Sequence, residues 1–182
     1  EEKKVPVKNK YFGTDGFRGE SNKNLTAFHA FQVGRFLGWY YSGPEFAGKH
    51  KNGERARIVI GKDTRRSSYM LEYALAAGLA ASGADVYLLH VTTTPSVSYT
   101  VRQDCFDCRV MITASHNPFY DNGIKVINSN GEKLEDGVAY LAEAYLDGDF
   151  KTLGLEGEED LPFAKRSDIG TINDYSSGRN TT

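Results

Sequence analysis

The chain has 182 residues, 22 Lys+Arg against 24 Asp+Glu, and a formal net charge of -2. That length suits one domain of roughly 150 residues with a tail, and such a domain buries enough surface to stand without disulfides. Balanced charge gives no electrostatic reason to expect a nucleic-acid or membrane partner, and no apolar run approaches the ~20 residues that span a bilayer. The polar start Glu1-Glu2-Lys3-Lys4 lacks the apolar core of a secretion signal, so a soluble, cytoplasmic protein is expected.

In chain order, Tyr11 to Glu20 is glycine-rich and reads as a loop or short strand. Thr26 can cap a helix from about 26 to 40, whose apolar residues Phe28, Phe31, Phe36, Leu37 and Tyr40 have helical spacing. Residues 42–54 contain Gly43, Pro44, Gly48 and Gly53 and read as a surface loop. Arg57 to Gly61 predicts a short strand, and Ser67 or Ser68 then opens an Ala/Leu-rich helix that stops near Gly83. Further strands are expected at Asp85–Leu89, Val110–Thr113 and Ile124–Ile127, and a helix at Asp136–Leu146. Cys105 and Cys108 could be a redox pair or half a zinc site, but no second Cys pair exists, and buried, reduced thiols are the expectation.

Alternating strands and helices predict an α/β fold, a three-layer αβα sandwich on a mixed, mostly parallel sheet. The connection between the third and fourth strands is too short for a helical crossover, so these two should be antiparallel. We expect a tail at 1–9, one domain over 10–150, and a linker with the start of a truncated second domain over 151–182. The acidic run from Glu156 to Asp160 reads as solvated linker.

The strongest chemical feature is Thr113-Ala114-Ser115-His116-Asn117-Pro118, which follows a strand, where α/β domains collect ligand sites. Asn117-Pro118 would hold Ser115 on a tight exposed loop. Its hydroxyl could carry a phosphoryl group if cations gather there, since phosphoryl transfer rests on positioning and charge neutralisation. Local chemistry alone slightly favours a plain strand-ending turn, with Ser115 and Asn117 bonding their own backbone. A hydrolase triad is excluded: Ser115 and His116 are adjacent, and there is no Gly-x-Ser-x-Gly elbow.

Two other segments could serve such a site. In Phe12-Gly13-Thr14-Asp15-Gly16-Phe17-Arg18-Gly19, glycines would let backbone approach a ligand, and Arg18 could clamp a phosphate. Asn122-Gly123 predicts a hairpin turn that would fold the chain back and bring Lys125 near Ser115, although the pattern does not say which face Lys125 occupies. Gly61-Lys62-Asp63-Thr64-Arg65 lacks P-loop spacing and reads as a strand-to-helix turn, with Asp63 or Thr64 bonding backbone amides.

Together, Phe12–Gly19, Gly61–Arg65, Tyr69–Glu72 and Met111–Lys125 resemble the α-D-phosphohexomutase superfamily, in the right order over about residues 10 to 150. The form Phe119-Tyr-Asp-Asn-Gly-Ile-Lys125 is most similar to the bacterial phosphoglucosamine mutases. The resemblance implies that Ser115 is a phosphoserine passing its phosphate to a hexose or hexosamine phosphate through a bisphosphate. It further implies that Arg18 and Lys125 flank the phosphoserine, that His116 lines the pocket, that Asn117 and Arg18 contact substrate, and that Mg²⁺ binds a phosphate oxygen on Ser115.

The family's Asp-Gly-Asp-Gly-Asp-Arg type of metal loop, its sugar-selecting loop and its Arg-rich phosphate loop are absent here. The tail from Ile169 resembles the start of a second domain. The chain therefore resembles domain 1 alone, is expected to need the remaining domains of its polypeptide, and should not turn over by itself. Phe17 and Ser68 stand where related mutases more often carry a small aliphatic residue and a glycine. Phosphomannomutase or phosphoglucomutase activity, or a non-catalytic phosphosugar-binding module, are the alternatives.

Overall fold

The structure, a computed structural model, describes residues 10–13, 16–50, 53–92 and 106–175. Thr14, Asp15, Cys105 and the expected tail at 1–9 fall outside these.

Strand β1 (Phe12–Gly13) turns into β2 (Gly16–Glu20). Helix α1 (Ala27–Tyr41) starts where the sequence predicts, after Thr26. Thr26 Oγ1 accepts the His29 N–H at 3.4 Å, and His29 Nδ1 accepts the Thr26 N–H at 3.1 Å. This is a reciprocal capping box with His in the usual Glu/Gln place. The expected loop at 42–54 contains a 3₁₀ turn at Pro44–Lys49, where Pro at the first positions suits helical entry.

Strand β3 (Arg57–Lys62) leads into helix α2 (Arg66–Ala81). Neither Ser67 nor Ser68 caps this helix, contrary to expectation; both lie in its first turn and bond elsewhere. Helices α1 and α2 pack closely because Gly34 and Gly78 face each other's backbone: a Cβ on Gly34 would lie 3.0 Å from Leu79 N. After β4 (Asp85–Val91) come β5 (Cys108–Ile112), β6 (Asp121–Asn128), helix α3 (Asp136–Leu146) and β7 (Ile172–Asp174).

The seven strands of the described residues form one sheet in the order β1-β2-β6-β5-β3-β4-β7. Strand β3 is parallel to β4 and β5, β7 is parallel to β4, and β6 is antiparallel to both β5 and β2. The sheet is therefore mixed, and all its strands but β1 and β6 run one way. The antiparallel β5–β6 pair is as expected, but its turn is not. Asn122 and Gly123 lie inside β6, paired with Gly19 and Arg18 of β2, and the reversal is made by residues 113–120. Tertiary pairing with a third strand overrides the local turn preference.

Period-two alternation sorts the strands between two faces. Ile58, Ile60, Val86, Leu88, Val110, Ile112, Ile124 and Val126 share one core with Phe36, Leu37, Leu71, Leu75 and Val138 of α1, α2 and α3. On the opposite face Val59 and Phe106 pack with Tyr87, Leu89 and Tyr175. Cys108 is buried and free at the start of β5, and burial pushes its thiol well above the ordinary range. No helix among the described residues is long and apolar enough to cross a membrane.

Glu156 to Glu159 are solvated, as the sequence suggests. From Asp160 to Tyr175 the chain lies against the domain. Leu161 is buried, and the fully buried Arg35 donates to Leu161 O at 2.5 Å and to Ser82 Oγ at 2.5 Å. The Phe163 ring centroid lies 3.8 Å from the same guanidinium. Gly170 N–H then bonds Ala80 O, and β7 joins the sheet edge.

Candidate active site

The carboxyl ends of β3 and β5 lie side by side, with Lys62 opposite Ile112. The loop after β5 carries Ser115 at an exposed tip. Ser115 has φ 54°, the left-handed region that residues with a Cβ rarely enter. Its N–H donates to Thr113 Oγ1 at 3.0 Å, and Asn117 N–H donates to Ala114 O at 3.0 Å. The loop is tied to its own base in this way.

Strand β2 supplies the cation. Arg18 stands opposite Gly123 of β6, and its Nη2 donates to Ser115 Oγ at 3.4 Å. A Cβ on Gly123 would come 2.9 Å from Arg18 Cγ and 2.7 Å from Thr113 O, so only glycine lets the arginine stem pass. Arg18 Nε is buried and has no hydrogen-bond partner. No carboxylate pairs with Arg18 among the described residues, which leaves its charge available to an anion.

Beneath the loop lies a polar network that the sequence only half disclosed. Asp63 Oδ1 accepts Arg65 N–H at 3.0 Å, the expected side-chain-to-backbone turn. The same carboxylate also accepts Ser68 Oγ at 2.7 Å and Thr113 Oγ1 at 2.8 Å. Burial acts to raise the Asp63 pKa, but these hydrogen bonds and the Arg65 charge prevail and hold the carboxyl below its usual range. Asn122 closes the network by donating to Ser67 Oγ at 2.8 Å and Ser68 Oγ at 3.0 Å. Ser68, which stands where a glycine is commoner, thus has a defined place. Phe17, the other departure, packs among Tyr11, Phe12 and His29.

Arg65 ends the Gly61–Arg65 segment, read from the sequence as a strand-to-helix turn with no separate role for the arginine. Its guanidinium pairs with Asp63 and donates to Ser115 O at 3.0 Å and Asn117 O at 2.8 Å. Lys62, three residues earlier, points elsewhere. It is buried against α2, with Nζ 2.8 Å from Glu72 Oε1 and 4.1 Å from the Tyr69 ring centroid.

Among the sequence-expected site residues, the structure brings Arg18 and Ser115 together. His116 and Asn117 are exposed on the same loop. Lys125 lies opposite Met111 on β6, half-buried, and alternates with Ile124 and Val126, so it points to the face away from the three helices. Among the described residues it makes no ion pair and no hydrogen bond to Ser115 Oγ. No group of three or more His, Cys, Asp or Glu side chains among the described residues could hold a metal ion.

Comparison with known proteins bears on the family and the fold. Residues 9–151 match the family model of phosphoglucomutase/phosphomannomutase, alpha/beta/alpha domain I. A phosphoglucosamine mutase of Lachnospira eligens is 62% identical over 171 residues, covering 94% of this chain and 35% of the relative. Another from Lachnoclostridium phytofermentans is 61% identical, covering 93% of this chain and 34% of the relative. The chain thus spans about a third of the length of the curated relatives it matches. A phosphoglucomutase/phosphomannomutase family protein from Burkholderia thailandensis shares the fold, with TM-score 0.63 at 23% identity over 93% of this chain and 33% of that one.

Proposed function

We propose, for a chain that belongs to the phosphoglucomutase/phosphomannomutase family through its alpha/beta/alpha domain I, that Ser115 carries the phosphoryl group of a phosphoglucosamine mutase. The observation that carries this reading is Ser115 itself. It is exposed, held in the left-handed conformation, and faced by an arginine with no carboxylate partner among the described residues. Relatives at 61–62% identity that are phosphoglucosamine mutases favour glucosamine 6-phosphate and glucosamine 1-phosphate over other hexose phosphates.

In the proposed reaction a sugar hydroxyl attacks the phosphorus on Ser115. The Oγ–P bond breaks, a sugar O–P bond forms, and the hydroxyl proton leaves to a base. The resulting bisphosphate then returns its other phosphoryl group to Ser115 Oγ. Arg18 would bind the transferring group through Nη2 and its unpartnered Nε, a fork suited to two phosphoryl oxygens. Asn117 would contact substrate, and His116 and Lys125 are the candidates for moving the proton.

One phosphoryl oxygen on Ser115 would be this chain's ligand to Mg²⁺, which would offset part of the phosphate charge. The described residues supply no acidic cluster to complete such a site, so further ligands would come from other domains of the polypeptide. For the same reason the isolated chain should fold without turning over. A cytoplasmic location is part of the same proposal, supported by the proposed sugar-phosphate substrates.

The test is mass spectrometry of a full-length polypeptide carrying this chain, after treatment with a hexose bisphosphate. Phosphate on Ser115 is expected. Phosphate on another residue, with none on Ser115, would overturn the proposal.

A further inference from the structure

We infer that Arg65 is a positioning residue for phosphoryl transfer: it holds the main chain on both sides of Ser115 so that Oγ stays aimed at Arg18. The inference rests on the reading of Ser115 as the phosphoryl carrier.

The direction of a side chain is set by the two peptide planes that flank its Cα. At Ser115 both planes are pinned. The N–H of Ser115 is held by Thr113 Oγ1 at 3.0 Å, and its carbonyl oxygen by Arg65 Nη2 at 3.0 Å. A second bond from the same Nη2 to Asn117 O, at 2.8 Å, fixes the far side of the turn. Thr113 is itself held, because its hydroxyl donates to Asp63 Oδ2 at 2.8 Å. Arg65 closes the ring by pairing with that carboxylate and approaching Thr113 Oγ1 at 3.4 Å. One planar guanidinium therefore spans the strand end, the helix entry and the serine loop.

Arg65 and Arg18 thus have different tasks, although both are cations beside Ser115. Arg18 reaches the Ser115 hydroxyl, whereas Arg65 reaches main-chain carbonyls, the Thr113 hydroxyl and a carboxylate that offsets its charge. Without the pinned carbonyl, φ 54° is an unfavourable place for a serine, and the loop would relax toward ordinary backbone geometry. Oγ would then swing off the line to substrate. Lysine cannot substitute, because a single ammonium on a flexible stem lacks the planar fork that reaches both carbonyls and Asp63 together.

The experiment uses Arg65→Lys and Arg65→Ala in a full-length polypeptide carrying this chain. A misplacement near 1 Å costs on the order of 10²-fold in rate. We expect Arg65→Lys to lower kcat about 10- to 100-fold, with KM within about twofold and the unfolding transition retained. Ser115 phosphorylation by a hexose bisphosphate should slow in parallel. Turnover within about threefold of the unsubstituted enzyme in both variants would overturn the inference. So would a change confined to KM, which would make Arg65 a substrate ligand, or loss of folding in Arg65→Lys, which would make it a support of the whole domain. The unsubstituted protein separates the two readings. If it takes no phosphate on Ser115, the proposed function fails; if it does and the variants transfer normally, only the positioning role fails.

Discussion

Gly123→Ala adds one methyl group at the point where β2, β6 and the serine loop meet. The new Cβ would lie 2.7 Å from Thr113 O, 2.9 Å from Arg18 Cγ and 3.4 Å from Phe17 O. Two of these neighbours are backbone. Thr113 O cannot retreat freely, because the adjacent Thr113 N–H bonds Gly123 O at 3.0 Å and Ile112 pairs with Ile124. The arginine stem can move, but doing so withdraws Nη2 from Ser115 Oγ. Overpacking a fixed site costs about 1–3 kcal/mol, so urea unfolding should show a loss in that range. In a full-length polypeptide, displacement of one transition-state donor should also lower kcat by about 10²–10³. Gly137→Ala serves as the control: its Cβ would meet nothing within 4 Å, and it sits in α3, where alanine should be neutral or stabilising by about 0.4–1 kcal/mol. Gly123→Ala within about 0.5 kcal/mol of the parent, a range usual for innocuous surface changes, would refute the packing argument.

The remaining predictions follow from the network around the site. Asp63 is held below its ordinary 3.8, so its stabilising contribution is complete above that pH and disappears as pH falls through the folded value. Asp63→Asn should therefore be less stable than the parent at neutral pH, with the gap narrowing below about pH 4 in denaturation series. A constant gap would contradict this reading. Glu143 on α3 accepts the N–H groups of Tyr11 and Phe12 at 2.8 and 2.6 Å. Glu143→Ala should cost about 3–6 kcal/mol in urea unfolding, since two bonds to a charged group are worth about 1.5–3 kcal/mol each. On the proposed function, Arg18→Ala should lower kcat by about 10²–10³ without unfolding the domain. Lys125→Arg separates two roles: recovery relative to Lys125→Ala indicates charge neutralisation, and continued slowness indicates proton transfer, because arginine stays protonated. Steady-state kinetics on the full-length polypeptide read both, and near-normal turnover in Arg18→Ala and Lys125→Ala would remove these residues from the site.

Much of the local structure was legible in the sequence because its causes are local. Thr26 marks the start of α1 through a bond spanning three residues, and the apolar spacing from 136 to 146 coincides with α3. The short connection between β5 and β6 made them antiparallel, and Ser115 stood out because its neighbours are turn formers at a strand end. Other features depend on partners far along the chain. Asn122-Gly123 carries a strong turn signal, yet it lies inside β6 because β2, about a hundred residues earlier, pairs with it. Gly123 is required by the passage of Arg18, and nothing in the local sequence shows that crossing. Ser67 and Ser68 look like helix caps but bond Asn122 and Asp63 once the strand ends are brought together. Arg65 acquires its partners at Ser115 and Asn117 only when β3 and β5 lie side by side. Periodicity, capping and turn chemistry are set within a few residues, so the sequence by itself determined the elements and the serine's exposed loop. Strand order and register are settled by burial across the whole domain, so only the tertiary structure decided which cation faces the hydroxyl and which one holds the loop.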